Sequence, residues 1–355
     1  MRSVRVMVLP DAAFAALLLV GPRISRRGKR KDESRPAPVG QGRPDIRSGS
    51  GAGRDRSPTI RQLYRRQWRS PYMIKCIEIP GGNEAMYEPD PTLQLFAGHF
   101  RLDLQQDREI LLRQVVRAFA RLPYENLSKI VREAERGRVP EARRDPHEVI
   151  SDHIRLGTGG TCFSLTATLL HLLRHLGWEA QPILADRPYG PNTHCALLLW
   201  RQGRAHLLDP GFLLTEPIPL PQQQPVLVLT SFHQVHLCPH DDGRRLDLYV
   251  VSPQGQRQHR ITFKTTPVDW SEFVQVWDES FDWDMMRYPL LTRICDGEHI
   301  YLRGNRLQRR TLNRVQRQEL PPVSLAEHIH RLFGIAPDFV FRALAIWKRR
   351  GESYG

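Results

Sequence analysis

Apolar side chains recur along the chain with two different periods, and the period changes at Gly177. Between Asp90 and that glycine they recur every three or four positions, as in helices with one buried face. Beyond it they form short runs bounded by turn residues, the pattern of strands in an antiparallel sheet. The sequence therefore predicts an α+β fold whose helices largely precede its strands.

The helical pattern is clearest over residues 111–119, and that helix should end before Pro123 because proline interrupts helical hydrogen bonding. A second clear helix is predicted over 163–176, with Gly177 as its C-terminal cap. Residues 123–127 are predicted to be a turn. Further helices are predicted at 147–156, 325–334 and 339–347, and strands at 182–185, 194–200, 205–209, 226–229, 246–251 and 260–263.

The first 72 residues differ from the rest in charge and composition. They carry a net charge of +12 out of +14, and residues 21–72 show almost no periodic apolar pattern. Such a segment cannot bury enough apolar surface to offset its ordering entropy, so residues 1–72 are interpreted as a disordered basic extension. Met73 is an alternative start of the native protein. The nearly neutral remainder excludes a basic face around a duplex, so nucleic acid is not an expected partner.

Targeting and redox signals are weak. Residues 12–20 form a short apolar stretch that could belong to a secretory signal. Pro10 and Asp11 precede it, however, and no small cleavage-site residues follow, so the absence of a signal is the preferred interpretation. No apolar run of about 18 residues predicts a membrane span. The five cysteines are few, odd in number and widely spread, unlike a disulfide framework. We expect a cytoplasmic protein.

Cys162 is the first candidate for chemistry because it follows Gly159 and Gly160 and opens the predicted helix. A thiol at that place meets the unpaired N–H groups of the first turn and the positive end of the helix dipole. Both stabilise the reactive thiolate, and the same N–H groups can receive an oxyanion during acyl transfer. The alternative is a small cysteine buried in the core.

His194 and Asp209 lie on two strands that a turn around residues 201–204 joins into a hairpin. A register that places Asp209 opposite His194 or Ala196 puts both side chains on one face, within reach of each other. Pairing Asp209 with Cys195 would put them on opposite faces. The order Cys, His, Asp predicts that Cys162 attacks, His194 takes the thiol proton and Asp209 fixes the imidazole tautomer. Taken singly, either residue is also compatible with a cap or a turn.

Other groups of polar or aromatic residues carry weaker alternatives. His233, His236, Cys238 and His240 are metal-ligand types, but their spacing fits no standard zinc pattern and Pro239 should break the strand, so a solvated loop is predicted. His171 and His175 lie one helical turn apart without a carboxylate at matching spacing. No metal site is therefore predicted. An aromatic cluster is interpreted as core packing or as an acceptor pocket: Trp277, Phe281 and Trp283.

Segments over about residues 90–335 resemble, in order, motifs of the arylamine N-acetyltransferase family, within the transglutaminase-like cysteine enzymes. They are Leu122-Pro123-Tyr124-Glu125-Asn126-Leu127, Gly159-Gly160-Thr161-Cys162-Phe163, His194 with its strand, Leu208-Asp209-Pro210-Gly211-Phe212, Trp270–Phe273, Tyr288-Pro289-Leu290 before Arg303–Arg310, and Leu332-Phe333-Gly334-Ile335. The resemblance implies a helical bundle carrying the nucleophile (73–177), a β-barrel-like domain carrying the histidine and aspartate (178–305) and a C-terminal α/β lid (306–355). Candidate substrate-binding residues flank the motifs: Gly160, Phe163, Thr193 and Phe212.

The resemblance further implies ping-pong acyl transfer, in which acetyl-CoA or another acyl thioester acylates Cys162 and an arylamine or hydrazine then takes the acyl group. Acetyl-CoA is then a cosubstrate, and no cofactor is bound permanently. Three positions depart from the family pattern: Thr158 replaces an arginine, Ser164 a glutamate and Leu213 a glycine. Two alternatives follow, namely an amide synthase, acyltransferase or hydrolase that uses a carrier-protein thioester, and an inactive member of the fold.

Overall fold

A computed structural model of the protein describes residues 5–8, 90–137, 140–252 and 254–350. The predicted disorder of residues 21–72 and the apolar stretch at 12–20 lie outside these ranges. Within them, no helix is both long and apolar enough to cross a bilayer. The α-helices are α1 (Pro91–Phe100), α2 (Arg108–Phe119), α3 (Leu127–Arg136), α4 (Pro146–Leu156), α5 (Cys162–His175), α6 (Trp270–Glu279), α7 (Leu325–Phe333) and α8 (Pro337–Arg349).

The larger of the two sheets is antiparallel, curls into a half-barrel and has the strand order β1-β7-β8-β9-β10-β3-β4-β5-β6. Its strands are β1 (Arg5–Val8), β3 (Ala180–Arg187), β4 (Gly190–Arg201), β5 (Arg204–Asp209), β6 (Leu214–Pro219), β7 (Val226–Leu229), β8 (Gln234–His240), β9 (Arg245–Val251) and β10 (Arg257–Lys264). The fold is therefore α+β, as predicted. The smaller sheet has the order β14-β13-β12-β11-β2, with β2 (Tyr124–Glu125), β11 (Leu290–Cys295), β12 (Glu298–Arg303), β13 (Arg306–Arg310) and β14 (Val315–Glu319).

Strand β4 is buried on both faces, which explains its unbroken apolar run. Ala196 and Leu198 belong to the core inside the larger sheet, whereas Cys195, Leu197 and Leu199 belong to the core that includes α5. Because successive side chains of a strand point to opposite faces, one apolar strand serves both cores. This position brings β4 directly against the helix that begins at Cys162.

The helices begin where aspartates cap them. The side chains of Asp90, Asp107, Asp145 and Asp269 accept backbone N–H groups at the starts of α1, α2, α4 and α6. Helix α5, like α3, α7 and α8, lacks such a cap, because Thr161 at its N-cap makes no side-chain hydrogen bond to the first turn. The N–H groups of that turn are therefore left to another acceptor.

Residues 123–127 form a strand and a helix start, so the prediction of a turn is wrong. Leu291 of β11 pairs with Glu125, and the Asn126 side chain fixes the junction by accepting the N–H of Leu290 at 2.9 Å. The same amide donates to the carbonyls of Met285 and Tyr288, at 2.7 and 2.8 Å. These partners lie more than 150 residues away along the chain, which a local turn pattern cannot reveal.

Two strands lie in segments for which a loop or disorder was predicted. Strand β8 runs through Pro239, where a solvated loop was predicted, because β7 pairs only with Gln234–Leu237 and leaves the end of β8 with a neighbour on one side. Proline is tolerated at such an edge. Strand β1 pairs with β7, from Arg5 opposite Leu229 to Val8 opposite Val226, within the segment predicted to lack structure.

Candidate active site

Cys162 is the first residue of α5 and is 2% exposed. The loop before it is paired with the segment around β2: Gly160 donates its N–H to the Pro123 carbonyl at 3.3 Å, and Glu125 donates to the Gly160 carbonyl at 3.0 Å. A Cβ at Gly159 would overlap the Pro123 carbonyl, and one at Gly160 would overlap the Ser164 hydroxyl. Gly159 is therefore required by the close approach of the Pro123 backbone, and Gly160 leaves room for the Ser164 and Arg144 side chains.

Glu125 and Arg144 hold this loop through hydrogen bonds to Gly159, and both side chains are buried. The Glu125 carboxylate accepts the N–H of Gly159 at 3.2 Å and both the N–H and hydroxyl of Ser128, at 2.8 and 2.6 Å. The Arg144 guanidinium donates to the Gly159 carbonyl and lies 3.9 Å from the Glu125 carboxylate. A buried carboxylate needs such partners. Sequence reasoning noticed the motif around Glu125 but missed Arg144, which carries no local signal.

The three departures from the family pattern have distinct surroundings. Thr158 is buried with an unpartnered hydroxyl, and the guanidinium at this loop comes from Arg144. The Ser164 hydroxyl donates to the Thr161 carbonyl at 3.1 Å. Leu213 has a φ of 61°, a conformation that favours glycine.

His194 and Asp209 meet as the predicted register requires. Leu197 pairs with Leu208, which puts Asp209 beside Ala196 and on the face that carries His194. Both side chains are fully buried, and Nε2 of His194 lies 2.7 Å from Oδ2 of Asp209. Burial lowers the pKa of His194, but the charge and hydrogen bond of Asp209 and a hydrogen bond to Cys162 together raise the pKa above its usual value.

Gly211 shows how closely the three candidate residues approach one another. A Cβ built at this glycine would lie 2.9 Å from Cε1 of His194, 3.0 Å from Cβ of Cys162 and 3.4 Å from Oδ1 of Asp209. The structure thus brings the imidazole, the nucleophile position and the carboxylate around one point. Asp209 also accepts the N–H of Phe212 at 2.8 Å, so the turn itself holds the carboxylate.

Replacing Gly211 by alanine should lower the rate of acyl transfer by about 10²-fold, because the methyl group must displace the imidazole or the thiol from its position. The backbone at Gly211 has no positive φ, so alanine brings no strain of its own. Initial rates with a saturating acyl thioester measure the loss. Gly98→Ala is the matched control, since a Cβ there meets nothing within 4 Å and activity should stay unchanged. Equal rates for the two variants would contradict the geometry.

Cys195 is a buried neighbour of the candidate nucleophile, Cys162, that the sequence did not single out. A hydrogen bond from its thiol, together with His194 and the charge of Arg187, holds the pKa of Cys162 well below its usual value despite burial. The same thiol also lies 3.5 Å from the hydroxyl of Thr166, and its own pKa is raised by burial and by Cys162. Of the two thiols, Cys162 is therefore the one whose nucleophilic thiolate form is favoured.

Arg187, at the end of β3, is the other residue that was missed. Its Nη2 lies 3.0 Å from Nδ1 of His194, while Nε2 of the same imidazole faces Asp209. The guanidinium can only donate, so this contact corresponds to the imidazole before Nδ1 takes up the proton of the Cys162 thiol. Arg187 lies 25 residues beyond the nucleophile, and only the pairing of β3 with β4 brings it to the histidine.

Replacing Arg187 by glutamine should raise the pKa of Cys162, because the guanidinium charge favours the thiolate. Iodoacetamide labelling at pH 6 should then slow several-fold, and acyl transfer should fall about tenfold, which corresponds to about 1.4 kcal/mol. The pH profile of labelling, followed by intact mass, measures the shift. Arg287→Gln is the control, because that arginine lines the same cleft but pairs with Asp284 at 3.2 Å. An unchanged profile in Arg187→Gln would refute this role.

A cleft of about 1040 Å³ opens beside these residues and is lined by Arg187 and Gly211. Of the candidate substrate-binding residues, Thr193 and Phe212 lie along it. Gly160 and Phe163 do not: Gly160 is paired with the β2 segment, and Phe163 is fully buried against Phe273. The cationic side chains of the cleft are Arg187, Arg260, Arg287 and Arg303, and the only acidic one among its described residues is Asp284.

The histidines and cysteine of residues 233–240 do not converge on a common point as metal ligands in the described part of the chain. Trp277 and Phe281 are buried in the core with Phe163, as core packing predicts, whereas Trp283 packs on that core and also lines the cleft. The aromatic cluster thus forms one wall of the cleft only through Trp283.

The N-acetyltransferase family model matches residues 107–339, which is more than half of the chain. No curated protein sequence matches this chain. The arylamine N-acetyltransferase structure from Salmonella typhimurium is similar, at 20% identity, 72% coverage of this chain and 98% of that one, with a TM-score of 0.59. The arylamine N-acetyltransferase structure from Nocardia farcinica is also similar, at 21% identity. The match covers 75% of this chain and 99% of that one, with a TM-score of 0.59.

A third similar structure is that of an arylamine N-acetyltransferase from Bacillus cereus, described as having a unique Cys-His-Glu catalytic triad. It shares 14% identity, with 70% of this chain and 99% of that chain covered and a TM-score of 0.56. At such identities the structural likenesses establish the fold, whereas the family match includes residues of all three hydrophobic cores of the described chain. The chain belongs to the arylamine N-acetyltransferase family.

Proposed function

We propose that this protein transfers an acetyl or related acyl group from a CoA thioester to an arylamine or hydrazine through an acyl-Cys162 intermediate. The observation that carries the proposal is the convergence of Cys162, His194 and Asp209 around Gly211, at the unpaired first turn of α5. A thiolate, a base and an orienting carboxylate in this arrangement are the components of nucleophilic acyl transfer.

In the first half-reaction, the Cys162 thiolate attacks the thioester carbonyl and the N–H groups of the first turn of α5 receive the developing oxyanion. The C–S bond to CoA breaks, and the proton held by His194 leaves with the CoA thiol. In the second half-reaction, the amine attacks the acyl-cysteine and His194 accepts its proton. The Cys162 thiolate is then restored. Asp209 keeps Nε2 protonated throughout, so Nδ1 is the nitrogen that exchanges the proton.

The charge of the cleft supports a CoA donor. Arg260 and Arg303 are exposed on it and, among the described residues, neither forms an ion pair with a carboxylate. Phosphate groups are favourable partners for such guanidinium groups. This supports acetyl-CoA in spite of the changes at Thr158, Ser164 and Leu213. The three-part division into a helical bundle, a barrel-like domain and a lid remains part of the proposal.

The test is intact-protein mass spectrometry of the full chain after incubation with acetyl-CoA. A mass increase of about 42 Da, absent after iodoacetamide has blocked Cys162 and reversed by an arylamine, is expected for an acetyl-enzyme on a ping-pong path. Absence of this adduct in a chain whose Cys162 still reacts with iodoacetamide would remove acetyl-CoA as the donor. Formation of product without any adduct would refute the covalent intermediate.

A further inference from the structure

Three metal-ligand side chains converge far from the nucleophile, at the opposite end of α5. His171 and His175 lie one turn apart on that helix, with ring centroids 4.3 Å apart. Asp90, the N-cap of α1, faces both: its two carboxylate oxygens lie 3.0 and 3.1 Å from Nε2 of His171, and one of them lies 3.6 Å from Nε2 of His175. One ligand atom from each residue fits within 4.8 Å of the others.

We propose that Asp90, His171 and His175 form a binding site for a divalent transition metal of the zinc type. Two imidazoles and a carboxylate are a ligand set that Zn²⁺ and Co²⁺ accept, with the remaining coordination position filled by water. Sequence reasoning set the histidine pair aside because no carboxylate stood at matching spacing. The carboxylate is supplied by another helix, 81 residues earlier in the chain.

The surroundings favour a cation at this place. The histidines lie in the second half of α5, towards the end of the helix that carries partial negative charge. Asp90 is held in position because it accepts the N–H of Leu93 at 2.7 Å, so its orientation does not depend on a metal. The side chains of Asp90, His171 and His175 are 10%, 17% and 21% exposed, so an ion from solvent can reach them. A bound metal would fasten the start of α1 to the helix that carries Cys162.

The test is Zn²⁺ and Co²⁺ titration of the full chain in a Cys162→Ala background, because a thiolate beside an imidazole would bind these metals on its own. We expect one metal per chain, a rise in melting temperature with Zn²⁺ and visible absorption from bound Co²⁺. His171→Gln and His175→Gln should each weaken binding at least about tenfold. His328→Gln is the control, since its imidazole contacts only the Ser324 carbonyl among the described residues and should leave binding unchanged.

Asp90→Asn separates metal binding from helix capping, because asparagine caps α1 equally well but lacks the charged ligand. Its melting temperature without metal should match that of the background, and its response to Zn²⁺ should be lost. The proposal is overturned if the background shows no saturable binding. It is also overturned if any one of Asp90→Asn, His171→Gln and His175→Gln binds metal as tightly as the background.

Discussion

Replacing Cys162 by alanine is expected to lower the rate of acyl transfer by at least about 10⁴-fold, because the variant lacks the atom that would carry the acyl group. The fold should survive, since Cys162 is a small side chain at the start of α5 and the loop before it is held by Pro123 and Glu125. Steady-state rates with acetyl-CoA and an arylamine measure the loss, with circular dichroism as the check on folding.

Cys295→Ala is the matched control, because that thiol lies on β11 and does not line the cleft. It should retain the parental rate. If Cys162→Ala kept more than about a tenth of the activity, the acyl group would have to pass directly from donor to acceptor. The residues around Gly211 would then position substrates without forming a covalent bond.

Replacing Asp209 by asparagine is expected to lower the rate of acyl transfer by about 10³- to 10⁴-fold. Asparagine keeps an oxygen for the N–H of Phe212 but removes the negative charge beside Nε2 of His194. Because that carboxylate raises the pKa of His194, the pKa should fall in the variant. The protonated imidazole, which must donate its proton to the departing CoA sulfur, is then less populated. The favoured tautomer of His194 is also lost.

Single-turnover acylation and the pH dependence of the rate together test this role. Asp247→Asn is the control, because Asp247 also faces histidines on the larger sheet: it lies 3.3 Å from His240 and 3.5 Å from His259. That variant should keep the parental rate and pH profile. Equal losses in the two variants would point to damage to the sheet and away from a catalytic role for Asp209.

The proximity of Cys162, His194 and Asp209 could be predicted because each signal was local. Cys162 stands at a glycine-rich helix start, and the short turn after β4 leaves few registers for His194 and Asp209. The predicted helix at 163–176 and the strands of the hairpin are confirmed for the same reason, since their apolar periods lie within single segments.

The residues that were missed reach the site through tertiary contacts that no local sequence pattern reveals. Arg187 reaches His194 only because β3 pairs with β4, and Arg144 reaches the nucleophile loop from before α4. A single charged residue has no periodicity, so its partner cannot be inferred until the strands are paired. The same limitation hid Asp90, whose partners His171 and His175 lie on another helix.

The two-residue strand β2 pairs on one side with Leu291 and Thr292 of the smaller sheet and bridges to Gly160 on the other. The position of the thiol therefore depends on both neighbours at once. Segments 123–127, 157–160 and 285–292 are not free to change independently during evolution. We therefore expect substitutions in these three segments to be correlated among homologues, because residues in spatial contact co-vary.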